Sequence, residues 1–323
     1  TQTDGWMRLA LDQYGIPHDY ISVHDARDNP RLYERYDVIL FGPSVNDPLQ
    51  IVEGLQGDEP LPWKRSDVTP NIGRQASTDD MRGGLGLQGV LNLQRFVEQG
   101  GTLVTLTNSS LLPIHFGLSG GVGTAETPNL WAPGGVFSTA AADSTSPLVY
   151  GYDSELGVYF NRGPVFSDGA RNPALARAEG GSDPGSTTAR RSGRGGIDEQ
   201  DIVQGRPRDM GQAAVEEFRR QQQGEAEQQG GFGGGRTVTA RTVLRFASDP
   251  EDLLISGGLT NGAELAHAPA LVDVPLGSGH VVMFSFNPFW RSQTLGSYSL
   301  VFNALLHHGN LDAGRITART ADQ

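Results

Sequence analysis

Cysteine is absent from the 323 residues, which removes disulfides, thiolate metal ligation and a cysteine nucleophile together. Lysine is nearly absent: Lys64 is the only one, so 24 of the 25 basic residues are arginine. No apolar run approaches the roughly 18–20 residues that a membrane-spanning helix needs, so membrane insertion is not expected. Positive charge is also in deficit. The 37 acidic residues leave a formal net charge of −12. Without a basic footprint, neither nucleic acid nor an anionic membrane is an expected partner. The histidines are His18, His24, His115, His267, His280, His307 and His308, and none is followed three residues later by Glu. An H-x-x-E zinc pair is therefore missing, and neither a metal nor another cofactor is expected.

Glycine is what the chain has in excess, with 44 residues. There is no G-X-Y period, which excludes collagen. Hydrophobic residues reach only 37%, so the core must be drawn from a few strongly patterned segments. Asp4–Tyr14 has helical periodicity with Trp6, Leu9 and Ala10 on one face and Asp4 as its cap. Asp19–Val23 reads as a short strand, and Tyr36–Phe41 (YDVILF) as a buried parallel one. Leu85–Gln99 reads as a helix burying Leu87, Val90, Leu91, Phe96 and Val97, ended by Gly100-Gly101. Strand Thr102–Thr107 follows, then a short helix over Leu111–Gly117. The stretch Gly134–Phe166 is β-rich. Thr242–Ala247 and Leu253–Ser256 read as strands, and Ala270–Val274 with His280–Phe286 as a hairpin across Leu276-Gly277-Ser278-Gly279. A last helix covers Ser297–His307.

Two stretches interrupt this grammar. Residues 42–83 form a long Pro-rich excursion ending at Asp79 and Asp80. Residues 169–236 hold 15 of the glycines and only 8 of Leu, Ile, Val, Phe and Met among 68 positions. That is too little apolar surface to offset ordering entropy, apart from one helical segment at Gln212–Gln222. The expected organisation is one α/β domain made of 1–168 and 237–312. The 42–83 excursion lies within it, 169–236 is a Gly/Arg/Gln-rich insertion or arm, and 313–323 is a tail. The first residue is Thr1, with no charged-then-apolar leader after it, which points to a processed piece or an excised domain.

Several segments carry a family resemblance: GWMRLALDQYGIPHDYIS, YDVILFGP, TDDMRGGLGLQGVLNLQRFVEQGGTLVTL, SSLLPIHFGL, SPLVYGY and VDVPLGSGHVVMFSFNPFWRSQTLGSYSLVFNALL. They resemble the C-terminal domain that follows the catalytic domain in large bacterial M14-type zinc carboxypeptidases. That domain is similar to class I glutamine amidotransferases. The resemblance implies a flavodoxin-like, doubly wound, mostly parallel sheet with β-rich additions. It also implies a parent protein that is secreted, extracellular or periplasmic. It does not imply peptidase activity, because the metal-binding half is missing from this chain.

In that fold a nucleophile sits on a strained turn between strand and helix, and a His-x-Glu pair follows a later strand. Here the turn is Thr107-Asn108-Ser109-Ser110, with Ser109 the best match, give or take one residue. The later position reads Asn287-Pro288-Phe289, and neither Asn nor Phe takes a proton near neutral pH. The expected catalytic set is therefore none, with Ser109, Asn287 and Phe289 as degenerate positions. His115 in its PIHF context reads as a packing residue, His280 as lying at the far end of its strand, and His307-His308 as a solvated helix end.

Phe289, Trp290, Arg291 and Gln293 stand at the carboxyl end of a strand, where open α/β sheets place crevices. Together with Asp79 and Asp80 they are candidates for binding or interface roles. Three readings stay open. Trp290 packs under the last helix with Arg291 paired to Asp79 or Asp80; the group is an interface; or it is a small-molecule pocket. The expected function is a non-catalytic module acting in self-association, assembly or substrate presentation, its partner another copy or the parent peptidase domain. The alternatives are a serine hydrolase or amidase using Ser109, and a carbohydrate or peptide binding module around Trp290.

Overall fold

The computed structural model describes residues 2–44, 47–73, 77–168 and 240–315. The 169–236 insertion, its helical segment at 212–222 and most of the 313–323 tail lie outside the described residues.

Helix α1 (Gln2–Gln13) buries Met7, Ala10 and Leu11, while Trp6 and Leu9 are only half-buried. The buried stripe is thus turned one residue from the expected face. Asp4 does not cap this helix; it lies in the first turn. The expected strand at 19–23 is not one either. Helix α2 (Val23–Asp28) begins there, because Ser22 and Asp25 form a reciprocal capping box. The Ser22 hydroxyl accepts from the Asp25 amide at 3.2 Å and the Asp25 carboxylate accepts from the Ser22 amide at 2.7 Å. Two otherwise orphaned donors are satisfied, and helix wins over the β-branched composition.

Strand β1 (Val38–Phe41) leads into the Pro-rich excursion, which contains a helix not expected from its composition, α3 (Pro48–Glu53). Asp47 caps it through the Leu49 amide and Pro48 opens it. Helix α4 (Gly86–Glu98) buries Val90, Leu93, Phe96 and Val97. Its buried Asn92 donates to the carbonyls of Ala26 and Arg27 at 3.0 and 2.8 Å, closing the end of α2. Then come β2 (Thr102–Leu106), α5 (Leu111–His115), β3 (Gly123–Thr124), β4 (Gly135–Ala141), β5 (Glu155–Phe160) and β6 (Phe166–Ser167). The last elements are β7 (Arg241–Phe246), β8 (Leu254–Gly257), β9 (Pro269–Leu276), β10 (Gly279–Phe284) and α6 (Leu295–Leu306).

Among the described residues eight strands form one mixed sheet in the order β1-β2-β10-β9-β7-β4-β5, with β8 beside β4. Only β1–β2 and β2–β10 are parallel pairs; the other pairings, β10–β9, β9–β7, β7–β4, β4–β5 and β4–β8, are antiparallel. The expected mostly parallel sheet is therefore confined to one end, and the β-rich additions extend it as antiparallel ribbon. Helices cover both faces of the parallel end. Val104, Leu106, Val282 and Phe284 face α1 and α6, packing with Met7, Ala10, Leu300 and Val301. Leu103, Val281 and Met283 face the other way, onto Val90, Leu93, Phe96 and Val97 of α4. This alternation explains why TLVTL and HVVMF are apolar on successive positions: strands covered on both faces have no solvent side. The molecule is a mixed α/β fold.

The β9–β10 hairpin is tied to α4 by its turn. Gly277 has φ +62°, and a Cβ there would stand 2.5 Å from the Cα of Glu98. Only glycine satisfies both the left-handed backbone and the close approach.

Candidate functional site

The parallel strands β1, β2 and β10 end at one edge of the sheet, where Ser109, Asn287 and the 289–293 run follow β2 and β10. Ser109 follows β2 on a single turn of 3-10 helix. It is fully buried. Its Oγ lies 2.8 Å from the Leu106 carbonyl and 3.0 Å from that of Phe41, and accepts from the Leu106 amide at 2.9 Å. The one hydroxyl proton is thus committed to main chain, and the oxygen is already an acceptor. Ser110 behaves alike, meeting Thr105 Oγ1 at 2.9 Å and the Phe284 carbonyl at 3.2 Å. The two serines stitch the end of β2 to its neighbours on either side, β1 and β10.

The strained residue of this turn is Thr107, two positions before the expected one, with φ +52°. A β-branched residue at positive φ is a genuine outlier, and Thr107 is partly exposed where Ser109 is not. Beside it, the end of β1 is closed by α1: a Cβ on Gly42 would overlap the Asp4 carboxylate.

Asn287 is buried. Its side-chain oxygen accepts from the Phe289 amide at 3.0 Å, and its main-chain N–H donates to the Tyr159 carbonyl at 3.0 Å. It ties the end of β10 to β5. Phe289 is fully buried, meeting Tyr298 edge-on at 4.8 Å between ring centroids. As a binding candidate Phe289 is corrected: it is core.

Arg291 does not reach Asp79 or Asp80, which pair with Lys64 and Arg82, and Trp290 finds a ring partner on β5. Its ring lies flat on Tyr159, 4.4 Å between centroids and 9° between planes. The Arg291 guanidinium carbon stands over the Trp290 ring, 4.7 Å from its centroid. Tyr159 fills one face of the indole at van der Waals distance, and the exposed Arg291 guanidinium is its second neighbour. The turn is held by Thr294, whose Oγ1 accepts from the Trp290 amide at 3.0 Å and donates to the Pro288 carbonyl at 2.6 Å. Gln293 is exposed and contributes its amide to the Trp290 carbonyl at 2.9 Å.

Asp79 and Asp80 belong elsewhere. Asp79 pairs with Lys64. Asp80 accepts from Arg82 Nη2 at 2.7 Å and from the Leu61 amide at 3.1 Å, and its hydrogen bonds to Arg82 hold its carboxyl well below the usual range. Both brace the 42–83 excursion against itself.

The histidines divide. His115 packs its ring edge against Phe116. His280 opens β10 at the opposite end of the strand from this edge, with Nδ1 2.7 Å from the buried Asp273, which also accepts from Arg315 at 2.6 Å. A serine–histidine hydrogen bond exists on another corner, where Ser248 Oγ and His267 Nδ1 are 3.1 Å apart. There burial, then the neighbouring Arg245, pushes the imidazole down. Among the described residues no group of three or more histidines and carboxylates is arranged to hold a metal ion, and no helix is long and apolar enough to cross a membrane.

Sequence reading missed Tyr159. Its signal was the alternation in LGVYF, which turns Val158 and Phe160 inward and Tyr159 to the other face.

No family model matches the chain, and no curated protein matches it. Among solved structures it is similar to the cytoplasmic protein STM3548 of Salmonella typhimurium, at 12% identity over 94% of this chain and 85% of that one, with a TM-score of 0.41. It is similar to the cytoplasmic protein STM1381 of Salmonella typhimurium LT2, at 9% identity over 94% and 86%, with a TM-score of 0.43. A beta-galactosidase from Bacillus circulans sp. alkalophilus matches at 10% identity over 68% of this chain and 20% of the enzyme, with a TM-score of 0.29.

Proposed function

We propose that this chain is a non-catalytic, amidotransferase-like α/β module of a secreted zinc-carboxypeptidase-like protein, and that it works by associating with other copies of itself. Helices on both faces of the parallel β1-β2-β10 core support the flavodoxin-like reading, with the antiparallel strands as additions. The observation that carries the functional reading is the fate of Ser109. A nucleophile needs an approachable oxygen and a base within hydrogen-bond reach. Ser109 Oγ has only main-chain partners and is buried. At the same edge Arg291 is exposed over the half-buried Trp290, and both are types enriched at protein interfaces.

The arrangement disfavours the carbohydrate reading. A sugar stacks on a free ring face, and the Trp290 ring is already engaged by Tyr159 and by Arg291. A fluorophosphonate probe should give no labelling that depends on Ser109. Light scattering across a concentration series should show a mass that rises with concentration; a clean monomer at high micromolar concentration contradicts the proposal.

A further inference from the structure

Among the described residues Arg291, like Arg65, Arg95 and Arg162, reaches no carboxylate, but of these four its guanidinium alone stands over an aromatic ring. Arg27, Arg82, Arg241, Arg245 and Arg315 each reach a carboxylate. Among the described residues the guanidinium of Arg291 has neither an ion pair nor a hydrogen bond, and its contact is the Trp290 ring. The residue is exposed.

Its backbone is held at φ +48° and that of Ser292 at φ +53°. Two consecutive non-glycine residues in the left-handed region are strained, and such strain persists only where surrounding contacts over-determine it. Here the Thr294 hydroxyl and the Gln293 amide close the turn around both. The consequence is a guanidinium whose carbon stands 4.7 Å from the centroid of an indole that is itself braced by Tyr159. Contact with a ring leaves the N–H donors without a hydrogen-bond acceptor among the described residues. A planar cation with its fork free and little rotamer entropy left to lose fits a carboxylate bidentately.

We infer that Arg291, standing over Trp290, is the receptor for a carboxylate presented by a second copy of this chain. The inference rests on the self-association proposed above and names its contact. Charge composition supports that source: 37 acidic residues against 25 basic ones leave each copy with surplus carboxylates to offer. Leu295, 53% exposed four residues on, supplies an apolar neighbour to the contact.

Sedimentation velocity on the full chain tests it, comparing wild type, Arg291→Gln and Arg291→Lys in low and high salt. Arg291→Gln should weaken association about tenfold or more, since a lost bidentate pair leaves a carboxylate unmatched. Arg291→Lys should fall between the two, because it keeps the charge and loses the planar fork. Raising the salt from about 0.05 to 0.5 M should weaken the wild type and leave Arg291→Gln nearly unchanged, as screening acts on the pair. Association that is equal in wild type and Arg291→Gln, or insensitive to salt, overturns this inference and leaves self-association standing. A chain that is monomeric throughout overturns both. Near-ultraviolet circular dichroism of each variant confirms that the fold is retained.

Discussion

At the scale of single residues, the turn after β2 separates two properties that an active elbow combines. Backbone strain sits on Thr107, at φ +52°, and the hydroxyl nearest the expected position sits on buried Ser109. Ser109→Ala removes the partner of the Leu106 amide and one partner of the Phe41 carbonyl. It should destabilise the fold by about 1–3 kcal/mol, the usual range for leaving buried polar groups unmatched. Urea unfolding checks this, and hydrolase probes should report no change. Thr107→Gly should act in the opposite sense. Left-handed backbone costs a non-glycine residue about 1–2 kcal/mol, partly offset by the entropy glycine loses on folding, so a gain of roughly 0.5–1 kcal/mol is expected. A loss in the same urea assay means that the Thr107 side chain makes contacts worth more than the strain.

At the scale of elements, what was legible in the sequence was what local chemistry decides. β2 and β10 were legible as strands, and the β9–β10 hairpin by its Gly277-Ser278 turn; β1, expected as the buried parallel strand, is instead the half-buried end of the sheet. Gly277→Ala should cost upward of about 1 kcal/mol, from the left-handed backbone alone, plus displacement of the end of α4. A thermal melt reads it, and an unchanged midpoint contradicts the tight approach to Glu98. α2 was misread because Tyr20, Ile21 and Val23 favour a strand locally while a hydrogen-bonded capping box decides otherwise. α3 was hidden by the prolines around it, although Asp47 followed by Pro48 is itself a start signal. The antiparallel extension could not be placed, since the pairing of β7 with β4 and β9 joins segments far apart in the chain. The same holds for the site. The position of Trp290 at a strand end was readable, but its partner Tyr159 lies on another strand, and only folding brings them together.

At the scale of the whole molecule, the C-terminal segment is bound back to the sheet by buried arginine chemistry. Arg241 on β7 donates to Asp143 at 2.7 Å, to Thr145 Oγ1 at 2.9 Å and to the carbonyls of Leu311 and Ala313 at 3.3 and 2.8 Å. Burial by itself pushes the Asp143 carboxyl up; hydrogen bonds from Arg241 and Thr145 outweigh it and hold it at about 2. A depressed carboxyl contributes stability that is complete above its unfolded value near 4 and is lost as pH falls towards the folded value. Stability should therefore drop by about 1–2 kcal/mol between about pH 4 and pH 2 on this account. Asp143→Asn should lower stability at neutral pH and flatten that part of the profile. An unchanged slope in the variant contradicts the role of the pair.

The fold also sets what the molecule can do at its carboxyl edge: hydroxyls are drawn inward as staples, and the Arg291 guanidinium is exposed over the half-buried indole of Trp290. The most direct test of association as its function is the weight-average mass of the chain by light scattering, with and without Trp290→Ala. The wild type should rise with concentration above the 34.5 kDa of a single copy, and Trp290→Ala, which removes the platform under Arg291, should stay there. A wild type fixed at the single-copy mass, or a Trp290→Ala chain that assembles equally well, contradicts the account.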